Sequence, residues 1–119
     1  MISTADARKL AMEFPGTTEA PHFEKTSFRI KGKKIFMTMD EDKQFAVMKF
    51  TPEDQSVFAS SPDGSINAIP NKWGLQGWTR IDLKKVKKGL FKDALKCCWI
   101  HVAPKKLAML YFPDDASIA

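Results

Sequence analysis

The chain has 119 residues, of which 44% are hydrophobic and 28% charged, a composition that excludes fibrous and disordered chains and predicts a single domain over residues 1–119. No apolar run approaches the roughly 18 to 20 residues needed to span a bilayer, and the first residues lack the charged start and apolar stretch of a signal peptide, so we expect a cytoplasmic protein. Nineteen Lys and Arg against fourteen Asp and Glu give a net charge of +5, which favours an acidic partner such as nucleic acid but does not require one.

The first predicted element is a helix over residues 4–13, because apolar residues recur there at helical spacing. Ser3 or Thr4 can cap its start, and Pro15-Gly16 ends it. We expect residues 17–25 to be irregular chain that can include a short extended piece. The apolar stripe of the helix consists of Ala7, Leu10, Ala11 and Phe14.

From residue 26 the pattern changes to a period of two, which indicates β-strands. Apolar residues alternate with basic ones up to a tight turn at Lys31-Gly32-Lys33. A second strand follows, then a polar connection over residues 40–43 and a third strand over residues 45–50. This order predicts an antiparallel meander. The residues expected to share one face of the second strand are Ile35, Met37 and Met39.

The second half of the chain predicts helices around another strand. Thr51 and Pro52 are typical of a helix start, and we expect Val57 and Phe58 to turn inward. Residues 66–69 are a strand or extended chain, residues 71–74 a turn, and residues 78–83 a strand. A long helix over residues 86–102 has an apolar stripe, and residues 113–117 are expected to fray. Pro104 either ends the long helix or opens a short final helix through residue 110. That stripe consists of Phe91, Leu95, Cys98 and Val102, with Leu90 and Ala94 beside it.

Catalytic and metal chemistry find little support in the sequence. Cys97 and Cys98 are adjacent, so we expect reduced thiols rather than a disulfide, with at least one of them in the core. His101 follows Cys97 at helical spacing, yet no oxyanion hole or orienting acid accompanies the pair, and a structural or surface histidine is the favoured interpretation. The acidic loop at residues 40–42 lacks the pattern of a calcium site. We therefore predict no enzyme, no metal and no cofactor.

Basic clusters are the clearest functional signal. Five basic residues lie in or beside the first hairpin, whose turn could follow a phosphate backbone. They are Lys25, Arg29, Lys31, Lys33 and Lys34. A second series, at residues 84, 88, 92 and 96, recurs at helical spacing and favours a solvated helix face.

Two tryptophans are also candidate contacts to nucleic acid. Trp73 and Trp78 lie beside Lys72 and Arg80, so they could stack on bases. Burial in a small core is the commoner outcome for tryptophan, and it is the interpretation that we favour here.

Short motifs in a consistent order extend over nearly the whole chain. They are Phe14-Pro15-Gly16-Thr17-Thr18-Glu19, Pro21-His22-Phe23, Phe28-Arg29-Ile30-Lys31-Gly32-Lys33, Ile35-Phe36, Lys72-Trp73-Gly74, Gly77-Trp78, Ile81-Asp82-Leu83 and Val102-Ala103-Pro104-Lys105-Lys106. In this combination the chain resembles the MmcQ/YjbR family, small bacterial proteins often labelled DNA-binding. One departure is that Leu75-Gln76-Gly77 separates Trp73-Gly74 from Trp78, where the family tends to have Trp-Gly-Trp.

The resemblance implies an α+β fold, an antiparallel β-sheet meander packed against helices in a double-wing arrangement, as a single YjbR-like domain. The family label points to DNA binding, and the basic residues of this chain suggest the hypothesis that its hairpin contacts backbone phosphates with little base specificity. The candidate DNA-binding residues are Arg29, Lys31, Lys33, Lys34, Lys72, Trp73, Lys105 and Lys106.

Two alternatives remain open at this point. The first is a protein-interaction module without a nucleic-acid role, in which an exposed Trp73, Met37 or Met39 would anchor a partner. The second, which we rank last, is an enzyme of unrecognised type that uses His22.

Overall fold

A computed structural model describes residues 1–116, and within them six strands form one antiparallel sheet that is combined with helices. The expected α+β meander is thus confirmed. The strands are β1 (Thr17–His22), β2 (Lys25–Ile30), β3 (Ile35–Asp40), β4 (Phe45–Lys49), β5 (Ile66–Ala68) and β6 (Trp78–Asp82). The helices are α1 (Thr4–Met12), α2 (Pro52–Ala59), α3 (Lys72–Leu75), α4 (Lys88–Val102), α5 (Lys105–Tyr111) and α6 (Pro113–Ala116).

The order of strands in the sheet is β1-β2-β3-β4-β6-β5. The meander therefore has four strands rather than the three expected from the sequence, because β1 pairs with β2 along its whole length. Irregular structure was the wrong prediction for residues 17–25. β1 is an edge strand whose side chains are mostly exposed, so it carries no apolar alternation.

One face of the sheet is closed by helices and forms the core. α1 packs on β1, and α4 packs on β3 and β4. Along each strand, successive residues point to opposite faces of the sheet, and residues paired across strands share a face. The closed face carries Phe28, Ile30, Met37, Met39, Ala46, Met48, Thr79 and Ile81, all buried.

A β-bulge in β3 changes which residues face the core. The register between β2 and β3 shifts at Phe28 and Arg29, so that Arg29 pairs with Ile35. Phe36 and Met37 are consequently both buried, and Ile35 lies with Arg29 on the other face. The prediction that Ile35 shares the core face of Met37 and Met39 was therefore wrong.

The helix starts follow the sequence closely. Ser3 accepts a hydrogen bond from the backbone N–H of Asp6 at 3.0 Å, and Thr51 accepts one from Asp54 at 3.1 Å. The stripe on α4 is confirmed, although Trp99 is also fully buried. Within residues 1–116, no helix is long and apolar enough to cross a membrane.

Three local expectations need correction. Val57 is 69% exposed, and only Phe58 turns inward, where its ring stacks on Phe50. The expected turn at residues 71–74 is the short helix α3. Residues 113–116 form α6 rather than a frayed end, and Asp115 pairs with Lys96 at 3.2 Å; Ser117 lies outside the described residues.

Candidate nucleic-acid interface

The face of the sheet opposite α1 and α4 is open, and its charge changes from one end to the other. Lys49 pairs with Trp78 at the end that also holds Arg29 and the β2–β3 turn. At the opposite end, Asp40 and Asp82 flank Phe45. The open face is therefore basic at the hairpin end, whereas at the other end two acids lie near Arg80 and Lys25.

A groove of about 730 Å³ lies at the basic end. Four cationic side chains line it, and Ile35 joins them because the bulge in β3 turns it to this face. His101 and Val102, at the end of α4, also reach this groove. The four cations are Arg29, Lys33, Lys34 and Lys49.

A second groove, of about 840 Å³, continues from the first, and the two share His22, Thr38 and Trp78. Its walls are mainly aromatic, since Phe23 and Trp73 face it as well. Val47, Ile69, Glu24 and Lys25 complete the lining. The open face thus combines a basic half, here called the cationic groove, with an aromatic half, here called the aromatic pocket.

The segment that carries Trp73 is held tightly against the sheet. Asn71 accepts a hydrogen bond from the backbone N–H of Trp73 at 2.8 Å, which starts α3. Two glycines allow the close approach: a Cβ on Gly74 would lie 1.7 Å from the Ile69 carbonyl oxygen, and one on Gly77 1.8 Å from that of Phe50. The side-chain amide of Gln55 lies 2.9 Å from the Gly74 carbonyl oxygen and 3.2 Å from that of Trp78.

The opposite wall of the aromatic pocket is the two-residue turn between β1 and β2. Phe23 occupies this turn with a φ of +57° and a side chain that is 94% exposed. Its ring meets that of His22 edge-on, with centroids 4.9 Å apart. An aromatic side chain so exposed, in a backbone conformation that L residues rarely adopt, is typical of a functional position.

Cations lie over several aromatic rings of the open face. The Arg80 guanidinium is 4.1 Å from the ring centre of Phe45, and the Lys25 ammonium is 5.5 Å from the same centre. Lys49 lies 5.3 Å from the ring centre of Trp78. Such pairs keep positive charge beside flat apolar rings, the combination that proteins use to bind single-stranded nucleic acids.

The structure brings together only part of the predicted set. Arg29, Lys33 and Lys34 line the cationic groove, and Trp73, which is 51% exposed, lines the aromatic pocket, so the favoured prediction that it is buried was wrong. Lys72 stands beside Trp73, with 6.0 Å between its ammonium and the ring centre. The others line neither half: Lys31 is exposed in the β2–β3 turn, and Lys105 and Lys106 are exposed on α5.

Several residues of this face were not predicted from the sequence. Lys49 and Phe45 were not singled out, and Phe23 was noted only as part of a motif. The period-two pattern carried the necessary signal for β4, because Phe45, Val47 and Lys49 alternate with the buried Ala46 and Met48. For Phe23 no local pattern indicated exposure.

The cysteines do not provide a nucleophile. Burial, together with the carboxylate of Asp54, raises the pKa of the Cys97 thiol to about 12, and that thiol lies 3.4 Å from Asp54 Oδ2. Cys98 is fully buried, and burial raises its pKa as well. Both thiols therefore stay protonated near neutral pH.

The expected lysine stripe is shorter than predicted. α4 begins only at Lys88, so Lys84 lies outside the helix. Lys96 is engaged by Asp115 and lies 5.8 Å from the ring centre of Phe112. Lys88 and Lys92 remain exposed, in keeping with the solvated-face interpretation.

The structure bears differently on the protein-interaction hypothesis and on the hypothesis of an enzyme that uses His22. Met37 and Met39 are completely buried, so the protein-interaction hypothesis keeps only Trp73 among its proposed anchors. His22 does line both halves of the groove, but among the described residues its one side-chain interaction is the ring contact with Phe23. Within residues 1–116, His, Cys, Asp and Glu side chains form no group of three that could hold a metal ion.

Comparison with known proteins agrees with this architecture. No curated protein matches the chain. The crystal structure of the Deinococcus radiodurans protein DR2400, described with the domain name DUF419, has a similar fold, with a TM-score of 0.69 over 85% of this chain and 78% of that one, at 20% sequence identity. A family model described as YjbR matches residues 12–108. Because that match covers well over half of the sequence, the chain belongs to the YjbR family.

Proposed function

We propose that the protein binds DNA through the open face of the sheet, with the cationic groove holding backbone phosphates. Four cations that converge on one groove support this proposal most directly. They are Arg29, Lys33, Lys34 and Lys49. The fold itself carries no function, so the proposal stands on this site.

The surroundings of the four groove cations also support the proposal. Among the described residues, acidic side chains pair with Arg8 and Lys96, and with none of the four groove cations. Cations that converge without acidic partners repel one another, and an anionic ligand relieves that repulsion. Phosphates placed along the groove would also release counterions, which makes the affinity fall with salt.

Binding, rather than catalysis, is the role that we expect. His22 has no hydrogen-bonded acid or nucleophile among the described residues, and the protonated thiols lie outside both halves of the groove. The groove contacts that we assign to DNA read no base edges, so this phosphate binding should show little sequence preference.

The test is titration of a labelled DNA duplex at about 50 mM and about 200 mM salt. Replacing two groove cations in the variant Lys33→Gln/Lys34→Gln should weaken binding at least about tenfold at the lower salt. The slope of log affinity against log salt should become shallower by roughly two, about one per lost phosphate contact.

A matched control separates the groove from overall charge. Lys88→Gln/Lys92→Gln removes the same charge from the exposed face of α4 and should leave affinity within about twofold. Equal losses in both variants would mean that net charge, not this groove, attracts DNA. Absence of binding to any DNA at the lower salt would overturn the proposed function.

A further inference from the structure

We propose that the aromatic pocket accepts an unstacked base of single-stranded DNA while the adjoining cationic groove holds the phosphates of the same strand. This inference rests on the proposed function and specifies its substrate. It predicts that the protein prefers single-stranded DNA to duplex DNA.

The shape and lining of the pocket fit a flat aromatic ligand. Its volume of about 840 Å³ lies within the range of small-molecule sites, and the rings of Phe23, Trp73 and Trp78 surround it. Val47 and Ile69 add apolar side chains. Two of these rings are largely exposed to solvent, Phe23 at 94% and Trp73 at 51%, so they are free to stack on a ligand.

The pocket also offers polar groups at the point where the two halves meet. The His22 ring and the Thr38 hydroxyl line both halves, and neither has a hydrogen-bond partner among the described residues. Both can donate or accept a hydrogen bond at a base edge. A purely apolar partner would leave these groups unsatisfied, whereas a base would engage them.

Charge identifies the occupant as a nucleic-acid strand rather than a neutral aromatic molecule or an apolar peptide. The pocket opens directly into the groove that contains Arg29, Lys33 and Lys34, and Lys72 stands beside Trp73. Each nucleotide of a strand carries a flat base and a phosphate. The aromatic pocket can hold the base while the adjoining cationic groove holds the phosphate.

Duplex DNA fits this surface less well than a single strand. Bases in a duplex are stacked on their neighbours, so aromatic side chains reach their faces only after an unfavourable unstacking step. In a single strand the faces are accessible. The aromatic pocket therefore adds affinity for the single strand that the duplex cannot use.

The experiment measures binding of the 119-residue chain to labelled oligonucleotides of about 12 nucleotides, within the size range of single-strand sites. The probes are a DNA single strand, the matching duplex, an abasic single strand of equal charge, and RNA of the same sequence. We expect the DNA single strand to bind at least about tenfold more tightly than the duplex or the abasic strand. Base-specific quenching of a fluorescent base analogue in that strand should accompany binding.

Two variants on the same helix provide the matched comparison. Trp73→Ala should weaken single-strand binding roughly 5- to 100-fold, the range for loss of one stacking contact, and change duplex binding less than about twofold. Leu75→Ala removes a side chain that is 82% exposed and lines neither half, so it should change nothing. Thermal unfolding of each variant checks that it remains folded.

The outcomes separate this inference from the proposed function. Equal binding of abasic and normal strands, without quenching of the base analogue, would overturn the base pocket while phosphate binding stood. Tighter binding of RNA than of DNA would overturn the choice of DNA. Absence of binding to every probe would overturn the proposed function itself.

Discussion

Phe23 illustrates how one residue can carry a conformational cost that the fold alone does not explain. Its φ of +57° lies in the left-handed region, which costs an L residue about 1–2 kcal/mol, and two-residue hairpins favour glycine at such a position. The side chain buries almost nothing. The ring instead lines the aromatic pocket beside His22, where a ligand could use it.

Replacing this residue separates stability from binding. Phe23→Gly should leave the free energy of unfolding unchanged or raise it by up to about 1 kcal/mol, because relief of strain exceeds the added entropy of the unfolded chain. The same variant should weaken single-stranded DNA binding severalfold, because one wall of the pocket is lost. Urea denaturation and the binding titration measure the two effects. A loss of stability above about 1 kcal/mol would show that the phenyl ring has a structural role.

At the scale of elements, the segment between β5 and β6 depends on α2. Gln55 lies on α2, yet its amide reaches the carbonyl oxygens of Gly74 and Trp78 and, at 3.0 Å, the hydroxyl of Thr79. A single side chain thus ties the short helix α3 and the start of β6 to a distant element. The position of Trp73 is set by this connection and by the two glycines that allow close packing.

Removing the hydrogen bonds of Gln55 should affect both the free energy of unfolding and the position of Trp73 in the candidate site. Gln55→Ala removes one of the two donors to the Gly74 and Trp78 carbonyl oxygens and leaves the buried Thr79 hydroxyl oxygen without a donor, which should lower the free energy of unfolding by about 1–3 kcal/mol. Ser56→Ala, at an exposed neighbouring position on α2, serves as the control and should change stability by less than about 0.5 kcal/mol. Chemical denaturation of both variants decides the matter: equal stabilities would show that Gln55 does not hold α3 in place.

At the scale of the whole molecule, the sheet separates two roles. Its closed face holds the core against α1 and α4, while its open face carries the cationic groove beside the aromatic pocket. Glu24 lines the aromatic pocket and is an acidic side chain on the path that a DNA strand would take. Its charge should therefore oppose binding.

Neutralising that charge should tighten DNA binding. Glu24→Gln should raise affinity roughly twofold at about 50 mM salt, and the gain should fade at about 200 mM because salt screens exposed charges. Glu13→Gln makes the same charge change at the end of α1, outside both halves of the groove, and should have a smaller effect. A gain as large for Glu13→Gln would indicate attraction by net charge rather than by this face.

Local signals determined much of the fold from sequence alone. The caps Ser3 and Thr51 and the stripe on α4 act within a few residues, so the helix positions follow directly from the chain. The alternation in β2 and β4 likewise predicts strands. The hairpin cations Arg29, Lys33 and Lys34 were identified for the same reason, because strand and turn place them close together.

Only the tertiary structure decided the shape of the candidate site. The bulge that turns Ile35 to the open face is a matter of pairing between strands, and so is the strand character of β1. Trp73 lies half-exposed in a segment whose glycines pack closely on backbone, Gly74 on Ile69 and Gly77 on the more distant Phe50. The juxtaposition of His22, Thr38 and Trp78 requires three strands to come together, and no local pattern in a single chain encodes contacts over such separations.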